Sequence, residues 1–223
     1  MDRIELKKGA KACMKENKSV IIKVVLIWIA AGIIFGLAQN FIDNNINGIL
    51  YTLLDALIAI ALIVLELGIT NVFINIARGK NTTMVDFYKP FSDNILNKTL
   101  TIMLSGIYLI FWTILFIIPG IIKSYSYAMV PYILADEEED LLFNEAITKS
   151  RQMMDGHKFE YFVLTLSFIP WFILTGLTLG IAAVYTVPYI QTTAAKFYLE
   201  LKNKEKNKIM KEKVDSAIEA EVL

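Results

Sequence analysis

Cysteine and histidine are nearly absent: the chain of 223 residues holds one of each, Cys13 and His157. A single cysteine excludes an intramolecular disulfide and a cysteine-based metal cluster. One distant histidine adds little from which to build a catalytic triad or a zinc centre, so no metal and no other cofactor is expected. No stretch matches a phosphate-binding P-loop, a Rossmann glycine pattern, a zinc motif or a nucleophile elbow. The polar segments are too short for a separate catalytic domain, and the chain reads as a non-enzyme. Nucleic acid is not an expected partner, because the lysine-rich tail also carries Glu200, Glu205 and Glu212 and has no stacking array beyond Phe197 and Tyr198. No small-residue cleavage site follows Met1-Asp2-Arg3, so the first apolar helix is expected to be retained.

Charge is missing over long stretches, and this is the main positive signal. The chain is 56% hydrophobic with a mean hydropathy of +0.52, above the roughly half-apolar norm of soluble domains. The excess has to face lipid. Val24 to Ile42 carries no charge, and its helical length of about 28 Å matches a hydrocarbon core of roughly 30 Å. Ile49 to Asn75 and Thr99 to Ile122 are similarly apolar, while Tyr161 to Ala195 is charge-free and too long for one span unless Thr175–Gly180 turns it. Spans are expected near 23–42, 49–75, 99–118, 121–135, 161–176 and 180–199, flanked by a basic arm (1–18) and a basic tail (201–223). The expected fold is all-α: a polytopic membrane helical bundle of about six transmembrane helices plus short interfacial amphipathic helices.

The chain is organised around Ile117–Asp136. Pro119-Gly120 is expected to end one helix and turn the chain, since proline lacks the amide and glycine tolerates unusual dihedrals. The return, 121–135, covers only about 22 Å and would suit a re-entrant half-helix. Basic residues argue for a full span instead. They fall in the arm (Arg3, Lys7, Lys8, Lys11, Lys15, Lys18), after the second span (Arg78, Lys80, Lys89, Lys98), after the fourth (Lys149, Arg151, Lys158) and in the tail from Lys196. An odd number of spans would strand one of these clusters on the wrong side. Both termini are thus expected in the cytoplasm.

Other segments read as interfacial. The arm forms an amphipathic helix on the membrane surface or stays a solvated basic arm. Thr82–Lys89 forms a short helix capped by Thr82 or Thr83 and ended by Pro90. The acidic run Asp136–Asp140 starts a helix over 140–155 with Leu142, Phe143, Ala146, Ile147, Ser150, Met153 and Met154 on one side. Gly156 closes it, and His157 serves as a cap residue rather than a ligand. A weak echo links Gly120, Tyr125 and Val130-Pro131-Tyr132 to Gly180, Tyr185 and Val187-Pro188-Tyr189. It suggests a parallel repeat.

Three charges define a candidate intramembrane polar site: Glu66, Asp55 and Lys123. Glu66 falls near mid-membrane, where a charge costs at least about 2.5–3.5 kcal/mol, so it is either a proton or cation site or a carboxyl that fixes helix packing. Lys123 either extends to the outer interface or meets Asp55 at similar depth.

The segment IIPGIIKSYSYAMVPYILAD, with Pro119, Gly120, Tyr125, Tyr127 and Pro131, is followed by Asn144–Arg151, containing Ser150 and Arg151, and by Met153-Met154-Asp155-Gly156-His157-Lys158. Together with Glu5–Lys8, Ala77-Arg78-Gly79 and Val187-Pro188-Tyr189-Ile190-Gln191-Thr192-Thr193, it resembles the DUF975 family of bacterial integral membrane proteins, which has no assigned activity. Phe159 departs from the pattern, which usually places Trp there. More distantly, the Ala-x-x-x-Ser-Arg…Gly pattern is similar to the membrane domains of some glycerophosphodiester phosphodiesterases. The resemblance implies a multi-pass protein of the bacterial plasma membrane.

Two functions fit these features. The first is a non-enzymatic protein that organises or regulates membrane lipids or partner membrane proteins, with helix contacts through Gly32, Gly36, Gly106 and Gly176 and with a homodimer expected. The alternative is a small transporter or channel-like protein built on Glu66.

Overall fold

The computed structural model describes residues 2–92, 94–136 and 144–222, and among them every regular element is an α-helix. In order these are α1 (Arg3–Glu16), α2 (Lys18–Asn45), α3 (Ile49–Ala77), α4 (Met84–Ser92), α5 (Ile95–Leu115), α6 (Ile117–Tyr127), α7 (Val130–Asp136), α8 (Glu145–Met153), α9 (Lys158–Leu166), α10 (Ile169–Leu177) and α11 (Ala183–Val222). Among the described residues four stretches are long and apolar enough to cross a membrane: Lys18–Asn45, Ile49–Ala77, Ile95–Leu115 and Lys158–Leu177.

The two halves of α3 have different surroundings. Every residue from Leu67 to Ala77 is buried, and none from Ile49 to Glu66 is. A helix apolar on all sides is one enclosed on all sides, and α1, α2, α4, α5, α7 and α11 all touch α3. Of the three polar residues in this half, Thr70, Asn71 and Asn75, the two asparagines reach α4: Asn71 Nδ2 donates to the Asp86 carbonyl at 2.6 Å, and Asn75 Nδ2 to the Asp86 carboxylate at 3.4 Å. Asp86 also accepts the Thr83 amide at 2.8 Å, the half of a capping box that satisfies the amide of the residue before α4. Thr83 is therefore the cap, and Pro90 lies inside the helix it was expected to end. α4 lies so close to α3 that a Cβ on Gly68 would stand 2.7 Å from the Phe87 carbonyl oxygen. The lower half of α3 and its neighbours form a compact base.

Three apolar hairpins leave this base: α2–α3, α5–α6 and α10–α11. Their outer parts carry exposed Leu37, Phe41, Leu53 and Leu57, then Ile114, Phe116 and Ile118, then Leu177, Leu179 and Ile181. The α5–α6 break falls at Phe116, which is extended (φ −157°, ψ 128°), so the helix expected to reach residue 118 ends at Leu115. Pro119 sits instead in the first turn of α6, where a missing amide costs nothing because first-turn amides have no helical partner. Gly120 serves close approach rather than turning: a Cβ there would lie 2.6 Å from Thr113 Oγ1.

Other boundaries also differ from expectation for local reasons. Residues 121–135 are two helices, α6 and α7, separated near Ala128. The apolar run after Lys158 breaks at Ser167 because Pro170 has no amide and the Trp171 amide turns to the Phe168 carbonyl at 2.9 Å. The Ser167 carbonyl takes Lys7 Nζ instead, at 2.9 Å. α11 continues far past residue 199, to Val222.

α1 is capped by Asp2, whose carboxylate accepts the Ile4 amide at 2.8 Å. Its buried Leu6, Ala10 and Met14 lie on one face against the base, so the apolar stripe of the arm is covered by protein rather than left for lipid or water. On α8 the expected residues Ala146, Ile147, Ser150 and Met153 are buried. Glu137–Asp140, Leu142 and Phe143 lie outside the described residues. The glycines expected at helix contacts, Gly32, Gly36, Gly106 and Gly176, have nothing within 4 Å of an added Cβ; the close approaches are at Gly68 and Gly120.

Candidate functional site

Glu66 marks the boundary between the exposed and enclosed halves of α3. Gln191 of α11 donates Nε2 to Glu66 Oε1 at 3.1 Å, and Tyr132 of α7 donates its hydroxyl to Gln191 Oε1 at 3.0 Å. The three side chains form a hydrogen-bonded relay across three helices, and the amide keeps one acceptor and one donor engaged at once. Tyr132 is buried and stacks on Tyr198, with ring centroids 5.9 Å apart. Glu66 and Gln191 are the polar groups in a cavity of about 330 Å³ whose other walls include Val24, Trp28, Phe73 and Val187. A second cavity, about 680 Å³, opens between α2 and α3 beside Trp28, Gly32 and Leu62, with Glu66 at its edge.

The three charges of the sequence-derived constellation, Glu66, Asp55 and Lys123, are not brought together. Asp55 lies on the same helix as Glu66 but 11 residues away, about 16 Å along the axis. Lys123 sits on α6 with its ammonium 4.8 Å over the Trp112 ring. Gln191 and Tyr132 are the partners that sequence reasoning missed. Gln191 was visible as the one side-chain amide in the charge-free run 161–195, but nothing local announces its direction.

Below the relay lies an ionic hub. Asp136, at the end of α7, binds Arg78 through one carboxylate oxygen and, through the other, Lys202 at 2.5 Å and the Tyr198 hydroxyl at 2.9 Å. Its side chain is only 3% exposed, against 28% for Arg78 and 36% for Lys202. Burial opposes ionisation of Asp136. The hydrogen bonds and charges of Lys202 and Arg78 outweigh it and hold the carboxyl below its ordinary value. Lys196 Nζ donates to the Ala77 carbonyl at 3.0 Å, closing the free end of α3.

The remaining motif residues are mostly packing and helix-end devices. Tyr125 meets Tyr161 and Phe162 edge-on at 6.2 and 5.7 Å, and Tyr127 packs against the core. Ser150 Oγ donates to the Ser126 carbonyl at 2.8 Å, while Arg151 is exposed. Pro131 lies in the first turn of α7, and Pro188 lies within α11, where the Thr192 hydroxyl donates to its carbonyl at 2.7 Å. Gly156, expected to close α8, lies two residues past its C-cap Met154 and adopts φ +73° in the turn that leads into α9. His157 stands at the start of α9 with Nδ1 2.8 Å from Glu160, a pairing within one helix end. Lys7 and Lys11 of α1 lie over the rings of Phe168 and Tyr189 at 4.2 and 5.2 Å. Burial, then the charges of Arg3 and Lys11, lower the pKa of Lys7. Among the described residues no three His, Cys, Asp or Glu side chains gather closely enough to hold a metal ion.

Residues 113–205, from the end of α5 through the upper part of α11, match the family DUF975, described as a protein of unknown function. No curated protein and no solved structure matches the chain.

Proposed function

We propose that this DUF975 protein is a non-enzymatic, multi-pass protein of the bacterial cell membrane that organises lipid, with both termini on the cytoplasmic face. The observation that carries this reading is the crevice between α2 and α3. It is walled almost wholly by apolar side chains, it opens on the exposed halves of both helices, and its volume is about 680 Å³. The basic arm, the loop after α3, α8 and the tail then face anionic headgroups, worth up to about 1 kcal/mol per lysine near the surface. A homodimer or a partner membrane protein would add to the lipid contacts rather than replace them.

The test uses photoactivatable phospholipid with the reactive group on the acyl chain, added to protein in proteoliposomes. Crosslinks are expected at Trp28–Phe35 and Leu62–Glu66; crosslinks confined to the outer faces of the hairpins would contradict the proposal. Glu66, bonded by Gln191 within a cavity, supports a second reading as a small transporter. Lipid organisation predicts no proton or cation flux above empty vesicles for the wild type or for Glu66→Gln. Flux in the wild type, lost in Glu66→Gln with the thermal midpoint within a few degrees, would replace the first reading with the second.

A further inference from the structure

We infer that only α2–α3 crosses the bilayer, and that α5–α6 and α10–α11 are re-entrant hairpins that enter from the basic face, end inside the hydrocarbon of that leaflet and return. This rests on the membrane reading above and deepens it, because the chain then loads one leaflet far more than the other.

Tip chemistry separates the three hairpins. The last two turns of α2 and the link to α3 carry Gln39, Asn40, Asp43, Asn44, Asn45 and Asn47, side chains that belong in water, beside exposed Phe41 and Ile49. The α5–α6 turn is Leu115-Phe116-Ile117-Ile118-Pro119, with Ile118 73% exposed. At the α10–α11 turn Leu177, Leu179 and Ile181 are 78, 95 and 77% exposed. Leu179 also has φ +50°, a conformation that Asn or Gly fills at a water-facing turn. An outward leucine held there is stabilised only by an apolar medium. These turns also keep their backbone groups largely occupied, as hydrocarbon demands. The Gly180 amide donates to Thr175 at 2.9 Å and the Ile181 amide to Thr178 at 3.0 Å, while Thr178 Oγ1 accepts the Ala182 amide at 3.0 Å. In α5–α6 the Phe116 and Gly120 amides donate to Trp112 and Phe116, and Pro119 removes a donor altogether.

Reach agrees with tip chemistry. The Gln191–Glu66 hydrogen bond sets α11 in register with α3. From that level α3 rises 18 residues to Gly48, about 27 Å, whereas α11 rises 8 residues to its start at Ala183, about 12 Å. The α6 limb of the α5–α6 hairpin is short as well. The Ser126 carbonyl is tied to Ser150 of α8, whose Arg151 is exposed, and from Ser126 to Phe116 is about 15 Å, half of a hydrocarbon core of roughly 30 Å.

Charge completes the argument. A half-helix that stopped mid-membrane without returning would break the parity of the chain, but a hairpin that goes in and comes back leaves both termini on one face. Lys123, the outlier of a six-span arrangement, then lies on the same face as the other basic residues.

The experiment places single cysteines at Asn44, Ile118 and Leu179 in a Cys13→Ala background. An impermeant maleimide is applied to each face of sealed vesicles, and again after detergent solubilisation as a control for reactivity. Asn44→Cys is expected to label from one face, and Ile118→Cys and Leu179→Cys from neither, with all three labelling in detergent. Labelling of either hairpin cysteine from either face of the bilayer overturns the inference without touching the crevice crosslinks. A readout that leaves the hairpin tips unmutated is quenching of Trp112 by brominated lipids in a Trp28→Phe, Trp171→Phe protein. Strongest quenching by bromine near the acyl-chain ends supports the inference, and strongest quenching near the headgroups overturns it.

Discussion

Replacing Asp136 with alanine is expected to lower the stability of the folded chain by about 2–3 kcal/mol. Removing one member of a fully buried ion pair costs about 3–5 kcal/mol, because the other member stays behind unneutralised. Here Arg78 and Lys202 keep some water, which reduces that penalty. The loss should be cooperative, since the one carboxylate ties the end of α3 to α7 and α11. The same hub gives a pH dependence whose sign is fixed. A carboxyl held below its ordinary value contributes stability that is complete above its unfolded pKa, near 4, and is lost as pH falls through the lower folded value. Thermal unfolding in detergent should show the wild-type midpoint falling as the pH is taken below about 4, and the Asp136→Ala midpoint falling less over that range. Parallel curves for the two proteins would remove the hub from the account.

Gly68→Ala should have an effect of similar size, out of proportion to a single methyl group. The added Cβ would stand 2.7 Å from the Phe87 carbonyl oxygen, 2.8 Å from Phe91 and 2.9 Å from Phe87 Cε2. One of these contacts is backbone, so a rotamer change cannot relieve it. α4 must move, and with it the Asn71 and Asn75 hydrogen bonds to Asp86. A cost of about 2–4 kcal/mol is expected, from overpacking of about 1–3 kcal/mol plus weakened buried hydrogen bonds. Gly106→Ala is the contrast: nothing lies within 4 Å of its Cβ, and the gain in helix propensity makes it neutral or stabilising by up to about 1 kcal/mol. Equal loss of thermal midpoint in the two variants would show that α4 does not hold α3 as described.

The all-helical class was legible in the sequence because charge-free runs and amphipathic periods survive any arrangement of the helices. So was the local start of α4 at Thr83, which depends on neighbours a few residues away, whereas the Asp2 cap of α1 was not. Helix interruptions were less legible. Pro119 drew attention to the right turn but lies just past it, since proline fits the first turn of a new helix as well as the end of an old one. Pro170 breaks α9 from α10, yet its effect is visible only once Lys7, far away in sequence, is seen on the freed Ser167 carbonyl. Glu66 could be picked out as an isolated charge in an apolar run. Its partners could not, because Gln191 and Tyr132 reach it through the packing of α7 and α11 on α3. The glycines at close contacts were likewise invisible, for small-residue spacing says where helices could approach and only the fold says which of them do.

The central claim is that the basic residues outside the apolar spans lie on one face of a membrane, opposite the asparagine-rich turn of α2–α3. Trypsin, which cuts only at Lys and Arg, tests it most directly when applied to sealed vesicles of each orientation. On the face that exposes Asn40–Gly48 the chain should stay full-length, though a protease without a basic requirement cuts it in that turn; on the other face trypsin should remove the lysine tail. Tryptic fragments produced from the asparagine-rich face would contradict the account.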